Sequence, residues 1–250
     1  MSGGDTPLYI YRSGWQKSDD TYFAIKGGRA ADSHGHIDAG SFIYETKGVR
    51  WAVDLGVQDY NTLEQAGVDL WNMGQTSSRW ELFRTDVVSH NTLTINAQRP
   101  SVEARATIIA SDENSVTIDL SDLYAAQASN VIRTAEIDKN GSLTIFDKIA
   151  AADKPLSIEW RMATYAEAEI IGPNTIEIRQ DGKTLYLKMK GKGKITPTIW
   201  EEHPLKKYEA KDSDVRRVGF IIELKANTST ELEVTLSTTR SKMLKNLWKR

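Results

Sequence analysis

The chain has 250 residues, 40% of them hydrophobic, which is enough for one large domain or two small ones with buried cores. Its 32 Lys and Arg nearly offset 34 Asp and Glu, so the net charge of −2 supplies no global field of the kind that draws nucleic acid or an anionic membrane. Cysteine is absent, which excludes disulfides and thiolate ligands and leaves imidazole and carboxylate to hold any metal. No apolar run approaches the roughly 20 residues that span a bilayer, and the opening MSGGDTPLYI lacks the basic-then-apolar pattern of a signal peptide.

Along the chain, short β-branched and aromatic runs alternate with turn residues, and no repeat of fixed period appears. The first strand candidate is TYFAIKG. It leads into GGRAADSHGHIDAGSF, residues 27–42, which holds two of the four histidines. If this stretch were extended, His34, His36 and Asp38 would share one face and Gly35, Ile37 and Ala39 the other. A solvated polar face would account for such a pattern, but the flanking glycines and small residues leave room for something bulky beside the imidazoles. SFIYET and RWAVDLG follow as strands, the second ending at Asp54.

Residues 59–86 carry the weakest strand signal, with Trp71 and Trp80 among polar residues, and are expected to form a long surface excursion. His90 then precedes the strand NTLTIN, and sheet pairing would bring it and Asp54 beside His36. Two imidazoles and a carboxylate make a ligand set that zinc accepts. SVTIDL, LSIEWRMA, VGFIIELKA and ELEVTLST complete the isolated strands, while Asn140-Gly141 and Asp181-Gly182 mark tight hairpins within 131–149 and 174–189. His203, between charged residues and a proline, is expected at the surface. So many strands exceed what one open sheet holds, and the expected fold is all-β, a large antiparallel two-layer sandwich over 1–240, followed by a basic tail at 241–250.

Four segments in order, YRSGWQKSDDTYFAIKGG, SHGHIDAGSF, RWAVDLGVQDY and FRTDVVSHNTLTIN, resemble the C-terminal sandwich region of the heparinase II/III-like polysaccharide lyases. The resemblance is specific over about residues 8–100 and general beyond. It implies a sandwich that packs against an N-terminal α/α toroid, with a uronic-acid polysaccharide lying between the two, in a periplasmic or secreted enzyme. Carried over by position, His34 is the sandwich's catalytic residue, His36, Asp54 and His90 hold one structural zinc, and Asp38 and Ser41 support the imidazoles. Tyr60 and Arg84 fall in segments near the substrate. The toroid, with the tyrosine and the asparagine or histidine that complete the chemistry, has no counterpart in these 250 residues, so they are expected to be inactive alone.

The expected reaction is β-elimination, in which the C5 proton of a uronate leaves once its carboxylate is neutralised and the 4-O-linked sugar is expelled. His34 suits a base or a neutralising role, since histidine is the side chain that most readily changes charge at physiological pH. Lys26, Arg29, Arg79, Arg84 and Arg99 are candidates by position for a sulfated substrate. A metallo-β-lactamase-like hydrolase is set aside because Ala39 follows Asp38 where that motif needs histidine, and because no helices alternate with the strands. The competing reading is a non-catalytic carbohydrate-binding or structural sandwich with a zinc site. Neither reading involves nucleic acid or a membrane.

Overall fold

A computed structural model of the chain describes residues 4–212 and 214–239. The expected tail at 241–250 lies outside the described residues. In chain order the strands are β1 (Leu8–Arg12), β2 (Tyr22–Lys26), β3 (Phe42–Thr46), β4 (Val49–Ala52), β5 (Leu93–Ile95), β6 (Thr107–Ser111), β7 (Ser115–Asp119), β8 (Asn130–Ile137) and β9 (Leu143–Ala150). β10 (Leu156–Thr164), β11 (Glu167–Gly172), β12 (Thr175–Gln180), β13 (Lys183–Lys190), β14 (Lys194–Trp200), β15 (Arg216–Leu224) and β16 (Ser229–Ser237) follow. All paired strands are antiparallel, in sheets ordered β1-β2-β3-β4, β14-β15-β10-β5 and β11-β12-β13-β16-β9-β8-β7-β6. The fold is therefore the all-β sandwich that the alternating pattern predicts.

The eight-stranded sheet shares one apolar core with both smaller sheets. Alternate residues of β9, Leu143, Ile145 and Ile149, meet Phe42 and Tyr44 of β3, Trp51 of β4, Trp160 of β10 and Phe220 of β15. The two small sheets join at a seam where the Val53 amide donates to the Ala163 carbonyl at 3.0 Å. Within the eight-stranded sheet, the cross-strand neighbours Arg133 of β8 and Asp147 of β9 form a fully buried two-bonded pair at 2.8 and 2.9 Å, and Arg133 Nη1 also donates to the carbonyls of Gly40 and Asn91.

Asp181 and Gly182 both take positive φ, 51° and 71°, in a two-residue turn closed by the Gln180–Lys183 pair, as the dipeptide predicts. The other hairpin is longer. Ile137 pairs with Leu143, only Gly141 has positive φ, and Asp138 Oδ1 accepts from the Asn140 and Ser142 amides. The Asp138 side chain organises a turn that the Asn-Gly signal located but placed too tightly.

Residues 59–86 are not merely a surface excursion. A short helix, α1 (Tyr60–Gln65), is capped by Asp59, whose carboxylate accepts from the Asn61 amide, and a 3-10 turn covers Ser78–Glu81. Leu63, Leu70 and Leu82 form one small core, while Trp80 is fully buried with Ala30, Ile37, Val87 and Val102 in another. The segment thus clamps the histidine loop against the sandwich.

Candidate metal and active site

The SHGHIDAG segment is a loop between β2 and β3, not the strand that the i, i+2 spacing suggests. Local sterics decide this. Gly35 closes a turn through its amide to the Asp32 carbonyl at 2.8 Å, and a Cβ there would stand 2.1 Å from the Ala30 carbonyl oxygen. His34 takes a left-handed φ of 61°, unusual for a residue with a Cβ. The loop is then tied down at Ala31 to Val102, at Ile37 to Thr85 and at Gly40 to Lys26 by backbone bonds of 2.8–2.9 Å. Its turn sends the two imidazoles to different environments: His34 is exposed and His36 is buried.

His36 lies with its ring centre 5.4 Å from that of His90. His90, itself buried, sits just before β5, and its Nδ1 bonds Asp54 Oδ2 at 2.8 Å at the end of β4. Asp38 brings a carboxylate to the same place, so that donor atoms of His36, Asp38 and His90 all lie within 4.8 Å of one another. Lys26 Nζ donates to both Asp38 oxygens, at 2.8 and 2.9 Å. Burial and the neighbouring His90 pull the His36 imidazole from 6.5 down to about 4, leaving it neutral, the form that ligates a metal. Burial opposes charge on Asp54 and His90, yet their mutual hydrogen bond prevails, holding the carboxyl below its usual range and His90 above 6.5.

The residues fit a metal of the zinc kind. The buried Nε2 of His90 has no hydrogen-bond partner, and its Nδ1 lies against the Asp54 carboxylate, so imidazole and carboxylate donors converge here. Ser41, expected to support the imidazoles directly, instead accepts from the Asn91 amide at 3.0 Å and fixes the residue beside His90.

The exposed half of the loop faces α1. His34 Nδ1 is 3.3 Å from the Tyr60 hydroxyl, the two rings stack at 18° with centres 5.6 Å apart, and Trp71 stands nearly perpendicular to both. Arg79 organises this corner. Fully buried, it donates to the carbonyls of Leu70 at 2.9 Å and Gly35 at 2.8 Å, and to the Tyr60 hydroxyl at 3.5 Å. Sequence reasoning placed Arg79 only among residues for a sulfated ligand, a role its burial excludes. Nothing in the sequence distinguishes it from the other arginines.

Of the remaining basic candidates, Lys26 pairs with Asp38, Arg29 with Asp32 and Arg99 with Asp86. Arg84 is half-buried and donates to the carbonyls of Leu55 and Lys211. His203 is nearly half exposed, as expected, but its Nδ1 contacts the buried Asp212 at 3.0 Å, and Asp212 also pairs with Arg217.

Residues 3–237 match the model of the heparinase II/III-like C-terminal domain, and the chain belongs to that family. A crystal structure of heparinase III superposes with a TM-score of 0.68 at 15% identity, covering 92% of this chain and 35% of that one. The heparan sulfate lyase HepC from Pedobacter heparinus gives a TM-score of 0.64 at 17% identity, with coverage of 92% and 34%. The chain thus spans about a third of the length of these solved structures. No curated protein matches it. Among the described residues no helix is long and apolar enough to cross a membrane.

Proposed function

We propose that this chain is the sandwich half of a polysaccharide lyase that cleaves a uronic-acid-containing polysaccharide, of the heparin or heparan sulfate kind, by β-elimination, in the periplasm or outside the cell. The observation that carries the reading is the split of the H-x-H pair in a member of this family: His34 is presented to solvent against Tyr60, while His36 is buried against His90. A non-catalytic sandwich has no need to expose one imidazole so close to a buried second.

His36 and His90 would hold a zinc ion, with Asp54 as the carboxylate that the family resemblance gives and Asp38 within reach of the same shell. Bound there, the metal would supply a fixed positive charge that ties the histidine loop to the start of β5. Arg79 has only N–H donors to offer, so the Tyr60 oxygen accepts from it and the Tyr60 O–H is free to donate to His34 Nδ1. That order would leave the proton of the exposed His34 on Nε2. An N–H there suits a donor to a uronate carboxylate or to the leaving oxygen better than a base for C5. Arg84, with both terminal nitrogens on backbone carbonyls, would act on substrate through its charge.

The remaining acid–base groups belong, on the resemblance, to the toroid. Groups that act as a unit lose nearly all their rate enhancement when several are missing together. The 250 residues alone are therefore expected to give negligible unsaturated uronate, followed by its ultraviolet absorbance, whereas the sandwich joined to a toroid forms it. In the joined protein His34→Ala should abolish product with metal content unchanged. Rapid elimination by the 250 residues alone, or full activity of His34→Ala, would sink the proposal.

A further inference from the structure

We infer that Trp71, with Tyr60 and His34, forms a stacking platform for a sugar ring of the polysaccharide, an inference that rests on the proposed lyase reading of this site. Trp71 is 54% exposed, whereas Trp51, Trp80 and Trp160 are fully buried. Its position is fixed in two ways. The indole Nε1 donates to Glu64 Oε1 on α1 at 2.9 Å, and its ring packs against His34 and Tyr60 with centres 5.6 and 5.7 Å apart at 85° and 79°. Behind these rings Arg79 lies 5.9 Å from the Tyr60 ring centre and anchors the loop carrying Gly35. An indole left half open, yet held by a hydrogen bond and two ring contacts, has lost the conformational freedom that binding would otherwise cost.

The surroundings select a sugar over an apolar partner. Each ring of the trio carries a polar edge, and the neighbouring Asn61, Glu64, Gln65 and Asn72 are exposed. A pyranose ring has the matching character, with C–H bonds on its faces that pack on an indole and hydroxyls at its rim that meet such side chains. Because His34 belongs to the trio, a ring stacked on Trp71 is held next to the imidazole of the proposed reaction. Trp71 would therefore set which glycosidic bond in the chain reaches His34.

The test is titration of the 250-residue protein with size-defined heparan sulfate oligosaccharides and, in parallel, with neutral cello-oligosaccharides, read by indole fluorescence and calorimetry. The heparan oligosaccharide should bind, Trp71→Ala should weaken it by about tenfold, and Trp71→Phe should recover part of the loss. Unchanged affinity in Trp71→Ala overturns the platform while leaving the lyase reading intact. Equal, Trp71-dependent binding of the neutral glucan keeps the platform and counts against the uronate reading. Binding of neither sugar overturns the platform.

Discussion

Asn91 is fully buried at the seam between the two smaller sheets, and every hydrogen-bonding group of its side chain is used. Nδ2 donates to the carbonyls of Phe42 at 2.6 Å and Val53 at 2.8 Å, and Oδ1 accepts from the Ala163 amide at 2.6 Å. Asn91→Ala strands three buried backbone groups in a space too small to rearrange freely. At about 1–3 kcal/mol for each unsatisfied group, with part recovered by relaxation, the expected cost is about 3–6 kcal/mol. Against a typical total of about 5–15 kcal/mol this is a large fraction, and it corresponds to a fall in melting temperature of roughly 10–20 °C for a domain of this size.

Urea unfolding followed by circular dichroism and tryptophan fluorescence would measure it. Asn91→Asp gives an independent check, since it keeps the volume but turns the donor that meets two carbonyl oxygens into a third acceptor. It should destabilise at least as much as alanine. Since His90 is the next residue, any variant that still folds should also bind zinc more weakly. A loss below about 1 kcal/mol for both variants would refute the account of the seam.

Other outcomes follow from the same geometry. Asp147→Ala should cost about 3–5 kcal/mol in chemical denaturation because it leaves the buried Arg133 uncompensated, and pairing it with Arg133→Met should recover much of that loss. Elemental analysis should find one zinc per chain in the wild type and none in His36→Ala, with unaltered metal content and melting temperature in that variant rejecting the ligand assignment. Asp54→Ala should abolish stoichiometric zinc while Asp38→Ala weakens it, and the reverse order would exchange the two carboxylates' roles. Arg79→Met should leave the sandwich folded but speed amide exchange in 33–37 and 60–71, and unchanged exchange there would remove Arg79 as organiser of the corner.

All the strands that the sequence did not reveal lie at sheet edges, although two other edge strands, β4 and β5, were legible because they are buried. β2, β3, β7, β8, β9, β10, β12, β13, β15 and β16 each have a strand on both sides, and their alternation or apolar run is clear. The strands that the pattern did not reveal, β1, β6, β11 and β14, are all sheet edges. An edge strand has one partner and much solvent, so its residues need not alternate: β6 is almost wholly exposed and β14 accommodates Pro197. Sheet pairing was expected to bring Asp54 and His90 beside His36, but β4 and β5 lie in different sheets; Asp54 and His90 meet where those sheets adjoin, and Asp38 joins His36 and His90 from the loop. The shape of the histidine loop was not legible, because a spacing of two describes a strand only if the backbone is extended, and Gly35 and the positive φ of His34 prevent that.

That departure from the strand bears on the proposed function. A true strand would have put His34 and His36 on one face about 7 Å apart, both buried or both exposed. The loop separates their surroundings while keeping them two residues apart, so that a buried, metal-competent imidazole and an exposed one share a single backbone turn. Arg79 closes that turn from one side through Gly35, and Arg133 holds its far end through Gly40 and reaches Asn91 beside His90. Two buried guanidiniums from different parts of the fold thus converge on one loop, and each adds stiffness where the sandwich presents His34. Catalysis by positioned groups demands such stiffness, since a displacement of about 1 Å costs on the order of a hundredfold in rate. The cost of burying both guanidiniums is offset by the Asp147 carboxylate and the carbonyls of Gly40 and Asn91 for Arg133, and by the carbonyls of Leu70 and Gly35 for Arg79.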